Sequence, residues 1–218
     1  MTKEKRKPAT PSRLVSHLVG ERQKSARADG HALPLLNIST DIESGVALMG
    51  IDISSAPVPQ RRYSAELCWL GSSGLDFKLI FGQQGVLDSG PLDSALIVRM
   101  NPSAAEDFIR AVDKLSNPSL VEIAEKNALG TEQLAVVTEA PKQTAAMVAN
   151  LVAVGVAGHE TCLDFYHASA FAMRKAAQSS SLEVEPVVRV DLRTTSFIPL
   201  MNELKRIVES RKITVREA

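Results

Sequence analysis

Three residues within nine positions, His159, Cys162 and His167, form the one local cluster whose side chains carry ligand or nucleophile chemistry. Two imidazoles and a thiol could hold a zinc ion or make an activated Cys-His pair. The surrounding "HETCLDFY" predicts a strand, however, and in a strand His159 and Cys162 point to opposite faces. They cannot share an ion without a bulge. Cys162 has no base at a suitable spacing, and Cys68, the second cysteine, falls in another predicted strand with no CxxC pattern. His17 and His31 stand apart. Glu183 and Glu185 are most simply two carboxylates on a solvated strand face. No glycine pattern follows a strand and opens a helix, so no phosphate loop is predicted. The sequence therefore predicts no catalytic, metal-binding or cofactor-binding residue, and a protein that is not an enzyme.

The elements that position these residues occur twice. Residues 51–81 align without a gap on residues 135–165, with eight of 31 positions identical: Ala56/Ala140, Pro57/Pro141, Ala65/Ala149, Leu67/Leu151, Gly71/Gly155, Gly74/Gly158, Leu79/Leu163 and Phe81/Phe165. Unrelated segments of this composition would share about two. The pattern predicts two similar units in a chain of 218 residues, long enough to bury a substantial apolar core.

In the first unit, Ala47 to Ile53 predict a strand that stops at Ala56-Pro57, because proline withdraws a ladder donor. Residues 63–70 and 75–82 predict two strands joined by "GSSG", "ALIVRM" a fourth, and "NPSAAEDFIRAVDKL" a helix with Ser103 and Glu106 as a capping box. Leu75, Phe77, Leu79 and Phe81 share one face, and Trp69 is expected inside with Ala65 and Leu67. In the second unit, "QLAVV", "MVANLVAV", "HETCLDFY" and "SLEVEPVVRVDL" repeat the strands, with Leu182, Val184, Val188, Val190 and Leu192 on one face of the last. Phe197, Met201, Leu204 and Val208 then form a helical stripe, with Pro199 expected in the opening turn. From Phe81 to Arg99 is 18 positions and from Phe165 to Arg189 is 24; the longer connection holds "ASAFAMRKAAQ", a good helix former.

One sheet face per unit is expected beneath its helix. The other face of the first unit would carry Cys68, Leu70, Ile80 and Ile97 beside Glu66, Asp76, Lys78 and Arg99, more apolar than a solvated sheet requires. Cys68, Leu70, Ile80 and Ile97 are therefore the candidate client- or partner-binding residues. The matching face of the second unit would carry Glu160, Cys162, Asp164, Glu183, Glu185, Arg189 and Asp191, so the two units differ most there.

Basic and acidic residues cancel at 25 each, but residues 1–28 carry a net +6 and the remainder −6. The layout expected is a basic tail and short helix over 1–45, a first sheet-plus-helix unit over 46–116, a helical linker over 117–130, a second unit over 131–210 and a tail over 211–218. A charge block of this kind is commonly a solvated tail, or else an arm for nucleic acid or an anionic surface. Aromatic residues at 4% argue against a base-stacking platform. No run of about 18 apolar residues predicts a membrane span.

The run "YSAELCWLGSSGLDFKLIFGQ" to "ALIVRMNPSAAEDFIRAVDKL" resembles a small bacterial domain family of unknown function, with its aromatic opener, short hairpin, Phe-ended strand, Arg-hydrophobic strand and Asn/Ser-Pro-capped helix. The stretch from Met147 to Ser210 resembles it more weakly: Met147 replaces the aromatic and Leu192-Arg193 replaces Pro102-Ser103. The strand order with a trailing helix is also similar to the SecB-type export chaperones. That likeness implies a non-enzymatic binder of unfolded polypeptides that uses apolar surface on a sheet scaffold.

The expectation is thus an α+β protein of two tandem units, each a four-stranded antiparallel sheet followed by a helix. Its expected role is a cytoplasmic SecB-like chaperone or protein-interaction module acting in protein transport, with unfolded polypeptides or one fixed protein as partner and self-association open. A scaffold subunit of an assembly, or a nucleic-acid-associated factor using the basic arm, are the alternatives.

Overall fold

The structure, a computed structural model, describes residues 31–40, 47–73, 76–84, 92–115 and 141–216. The basic arm, the linker helix expected over 117–130 and the strand expected at "QLAVV" lie outside the described residues. In chain order the elements are β1 (His31–Thr40), β2 (Ala47–Ile51), β3 (Arg62–Ala65), β4 (Leu67–Ser73), β5 (Asp76–Gln83), β6 (Ser94–Met100) and α1 (Pro102–Asp113). They continue with β7 (Gln143–Val148), β8 (Leu151–Ala157), β9 (Glu160–His167), α2 (Ala170–Ser179), β10 (Ser181–Arg193) and α3 (Thr194–Arg216).

Alternation in β5 buries Phe77, Leu79 and Phe81 and turns Lys78 and Ile80 the other way. Antiparallel pairing extends that inward face to Cys68 and Leu70 of β4 and to Leu96, Val98 and Met100 of β6. The β4–β5 and β8–β9 hairpins match in register: Ser73 stands opposite Asp76, and Ala157 opposite Glu160, each pair closing a two-residue connection. Gly158 sits in the second connection at φ 60, the left-handed region that glycine enters without strain.

The chain does not fold into two self-contained antiparallel sheets. One sheet has the order β4-β5-β6-β7, and its last strand comes from the second half of the chain and pairs parallel to β6, with Met147 opposite Val98. The other has the path β2-β1-β10-β9-β8; β3, from the first half, pairs parallel to β10, with Tyr63 opposite Val190. The second half thus lends one strand, β7, to the first sheet, and the first half lends β1, β2 and β3 to the other. The helices cross over as well: α1 lies on β8 and α3 on β4. One core draws on both sheets and both helices, from Phe77, Leu79, Phe81, Val98 and Phe108 to Leu163, Phe165, Val190, Phe197 and Leu204. Boundaries at 46–116 and 131–210 therefore do not separate two cores.

Three local features explain this arrangement. The loan of β3 and of β7 is possible because the chain kinks after each of them. At Glu66, the N–H donates to the Gly82 carbonyl (3.0 Å) and the side-chain Oε2 accepts from Gln84 N (2.8 Å). At Asn150, the N–H donates to the Tyr166 carbonyl, and Oδ1 accepts from Ala168 N (2.7 Å). The two side chains do the same work at matching places, since Gln84 and Ala168 lie 84 positions apart, as Glu66 and Asn150 do.

Strand β10 holds a bulge: Pro186 pairs with Tyr166 and Val188 with Phe165, leaving Val187 without a counterpart. The five residues expected on one face of β10 consequently divide. Val188, Val190 and Leu192 enter the main core, whereas Leu182 and Val184 join Leu33, Tyr166, Ala172 and Ala176 in a second cluster beneath α2. That second cluster needs β1, which pairs with β10 at Leu33 opposite Leu182. A tail was expected at that point. A tail expected from 211 is likewise helical, because α3 runs to Arg216.

Helix α1 is capped by Asn101, not Ser103: Asn101 Oδ1 accepts from Ala104 N at 2.8 Å and Pro102 takes the first helical position, where its missing N–H costs nothing. Helix α3 follows β10 directly from Thr194, whose hydroxyl bonds the Gly158 carbonyl and meets Thr161 Oγ1 in a buried pair. Pro199 is therefore inside the helix and past its opening turn.

Candidate protein-binding surface

The face of the β4-β5-β6-β7 sheet turned away from the core carries a row, one residue per strand, of Trp69, Ile80, Ile97 and Ala146. The row before it is Leu67, Gly82, Ala95 and Thr144; the row after it is Gly71, Lys78, Arg99 and Val148. Leu67, Trp69, Ile80 and Ile97 are half-buried, Ala146 is exposed, and Val148 is 54% exposed. Trp69 reaches close over Gly82 because that residue has no side chain: a Cβ there would sit 2.8 Å from Trp69 Cζ3 and 3.0 Å from Leu92 Cδ1. At one end of the face, Arg99 pairs with Asp76 at 2.5 Å.

Of the four residues expected to form this surface, the structure brings together Ile80 and Ile97, which stand directly opposite each other. Cys68 and Leu70 are on the reverse, packed against the main core, with Cys68 opposite Phe81 and Leu70 opposite Leu79. The physical reason is the kink at Glu66. Tyr63 and Ala65 face the core, and continued alternation would bring Leu67 and Trp69 inward. The kink consumes one residue and hands the inward positions to Cys68 and Leu70. Trp69, expected in the core, is thereby moved to the outer face. Ala146 and Val148 join it only because β7 is a loaned strand, a relationship with no local sequence signal.

The corresponding row of the other sheet has different chemistry. Ala153, Asp164, Arg189 and Arg62 occupy the four strands β8, β9, β10 and β3 in the same register. Where the first sheet sets Ile80 against Ile97, the second sets Asp164 against Arg189. Arg189 Nε and Nη2 reach Asp164 Oδ1 and Oδ2 at 2.6 and 2.5 Å, a two-pronged pair with side chains 23% and 13% exposed. That hydrogen bonding raises the Arg189 pKa further above its ordinary value. Arg62 pairs with Asp191 at 3.0 Å beside it. Further along this sheet, α2 covers the apolar outer residues Tyr166, Leu182 and Val184. Among the described residues, no helix lies on the Trp69 row.

The residues with reactive side chains are dispersed. His159 is in the β8–β9 turn, Cys162 is half-buried in β9, and His167 ends that strand. No group of three or more His, Cys, Asp or Glu side chains among the described residues is placed to hold a metal ion. Burial pushes the Cys162 thiol up to about 12, with the Asp164 charge adding to it; burial alone does the same for Cys68, whose Sγ donates to the Ser196 carbonyl at 3.0 Å. Neither thiol forms a useful amount of thiolate near neutral pH.

No family model, no curated protein and no solved structure matches this chain. No helix among the described residues is long and apolar enough to cross a membrane.

Proposed function

We propose that the protein is a non-enzymatic polypeptide-binding module whose binding surface is the row Trp69, Ile80, Ile97 and Ala146, with Val148 at its edge. The observation that carries this reading is the difference between two otherwise matching rows. In one sheet an ion pair makes the outer surface compatible with water, and in the other the same two places are isoleucines beside the chain's one tryptophan. Apolar side chains kept on a sheet surface next to a glycine that seats an aromatic ring suit contact with apolar segments of another chain. A SecB-like chaperone role in the cytoplasm belongs to this proposal. So does descent from a duplicated sheet-plus-helix unit, supported by the matched hairpins, kinks and reciprocal strands.

The size of the surface favours a second reading in which one fixed protein is the partner and this chain is a subunit of an assembly. Leu67, Trp69, Ile80 and Ile97 are each only partly uncovered, so what is presented is a narrow row and not a broad groove.

The test copies the ion pair of one sheet onto the other with Ile80→Asp plus Ile97→Arg. The circular dichroism spectrum is expected to stay native while suppression of light scattering from a denatured enzyme diluted into buffer falls at least fivefold. A folded double variant that protects the enzyme as well as the parent overturns the reading. Capture from lysate followed by mass spectrometry separates a broad client set from one stoichiometric partner.

A further inference from the structure

The contacts that close this fold run between its two halves. β3 pairs with β10, β6 with β7 and β1 with β10; Phe81 meets Phe165 and Phe108 meets Phe197; Lys205 bonds Asp113, and Lys142 bonds Asp93 at 2.6 Å. The first half, up to Leu115, uses strand β7 of the second to complete its sheet, and the second half, from Pro141, uses β3 and β1 of the first. Either half alone would leave a sheet edge and the inner face of a helix uncovered. Residues 116–140, 25 in all, connect them, and a chain of that length reaches about 80 Å when extended.

We propose that the partner for each of these surfaces can be a second copy of this chain, through exchange of halves. Residues 31–115 of one molecule pair with residues 141–216 of another, and the reverse, to give a two-fold dimer made of two bodies each identical to the monomer. No new contact is required, because β3–β10 and β6–β7 pairing is the same whether the strands belong to one chain or to two. What differs is the connection. Within one chain, linkage gives each half an effective concentration of its partner on the millimolar scale. The monomer therefore predominates when dilute, and the exchanged dimer grows in proportion to the protein concentration at which folding takes place. Once formed, it persists, since separation requires breaking the shared core.

The exchange can be read by a disulfide across β3 and β10. Ser64 and Asp191 stand opposite each other in parallel register on the outer face, away from the Trp69 row. Their pairing gives the Cα separation of about 5 Å that a disulfide accepts. In full-length chains with Cys68 and Cys162 changed to alanine, Ser64→Cys and Asp191→Cys are made together in one chain and separately in two. The chain carrying both is expected to oxidise within the monomer. If it does not, the pairing on which the exchange rests is wrong. The two single variants, unfolded together and refolded as a mixture, are expected to give a disulfide-linked dimer well above that of either variant refolded alone. Its yield should rise about tenfold between 10 and 100 µM protein, following the millimolar effective concentration of the linked halves. Mixing the two variants without unfolding is expected to give no more than either variant alone. A doubly substituted chain that oxidises normally, alongside a refolded mixture no more cross-linked than its components, overturns the proposal.

Discussion

The rings of Phe81 and Phe165 meet with centroids 5.9 Å apart and planes inclined by 60°, although 84 residues separate them. They occupy matching places in the two halves, each opposite a residue of the strand that precedes its helix: Leu96 for Phe81 and Val188 for Phe165. Their contact lies where the two halves join, so the core there is shared and neither half owns it.

Replacing either ring removes a fully buried side chain from this shared core. Phe81→Ala and Phe165→Ala are each expected to cost about 3–5 kcal/mol, and the double variant about 0.5–1.5 kcal/mol less than the sum, reflecting the lost ring pair. Urea titration checks this with two signals, Trp69 emission from the first sheet and far-ultraviolet circular dichroism from the whole chain. The signals are expected to move together in one transition. Separate midpoints would mean that the halves hold their own cores.

Those parts of the architecture that depend on local pattern were legible in the sequence. The alternation Phe77, Leu79 and Phe81 located β5 and its buried face, and the Ala-rich insertion located α2. The mixture of sheets and helices followed from the same periods. The surface residues and sheet partners were misplaced by three single-residue events and one long-range event. The kinks at Glu66 and Asn150 reverse inside and outside for the strand that follows each, and the bulge at Val187 does so for the rest of β10. Nothing in the composition of "SAELCW" marks where alternation restarts, because the kink is fixed by a hydrogen bond from Gln84, just past the end of β5. The parallel loan of β3 and β7 depends on which edge each strand finds, and a strand pattern does not name its partner. Ile80 and Ile97 were legible as surface residues because neither strand is interrupted. Trp69, Ala146 and Val148 were not, since each lies beyond a kink or on a loaned strand.

The Asp164–Arg189 pair is costly to break and cheap to replace. Asp164→Asn leaves a largely covered guanidinium with half its bonds and is expected to destabilise the fold by about 2–3 kcal/mol, reduced from the fully buried case because both side chains retain some solvent. Asp164→Ile with Arg189→Ile copies the first sheet, and thermal unfolding is expected to place it within about 1 kcal/mol of the parent. A double variant as unstable as Asp164→Asn would show that the pair positions neighbouring groups as well as satisfying itself.

Both thiols should be inert in the native protein. A thiol lifted from 9.0 to about 12, as Cys68 and Cys162 are, has roughly a thousandfold less thiolate at pH 8. Labelling by iodoacetamide is expected to slow by a comparable factor relative to the unfolded chain. The same shift makes stability pH-dependent in a definite direction. The folded pKa is above the unfolded one, so the contribution is complete below pH 9 and is lost as pH rises towards 12. Unfolding midpoints measured from pH 8 to 11 should fall, and less steeply in Cys68→Ala. Equal slopes in variant and parent would remove Cys68 from the account.

Gly82 sets the position of the chain's one tryptophan, which makes the proposed surface optically addressable. With a Cβ at 82 the indole has to shift away from β5, since the new carbon would sit 2.8 Å from its Cζ3. Gly82→Ala displaces the ring by a few tenths of an ångström and Gly82→Val displaces it outright. Emission is expected to move to longer wavelength in the order parent, alanine, valine as the ring gains water. Addition of a reduced, permanently unfolded polypeptide to the parent should move emission the opposite way, because a bound apolar segment excludes water from Trp69. The blue shift should weaken in Gly82→Val while the circular dichroism stays native. An emission maximum that ignores saturating polypeptide, in a parent protein that nonetheless retains it on a sizing column, would put the binding surface somewhere other than the Trp69 row.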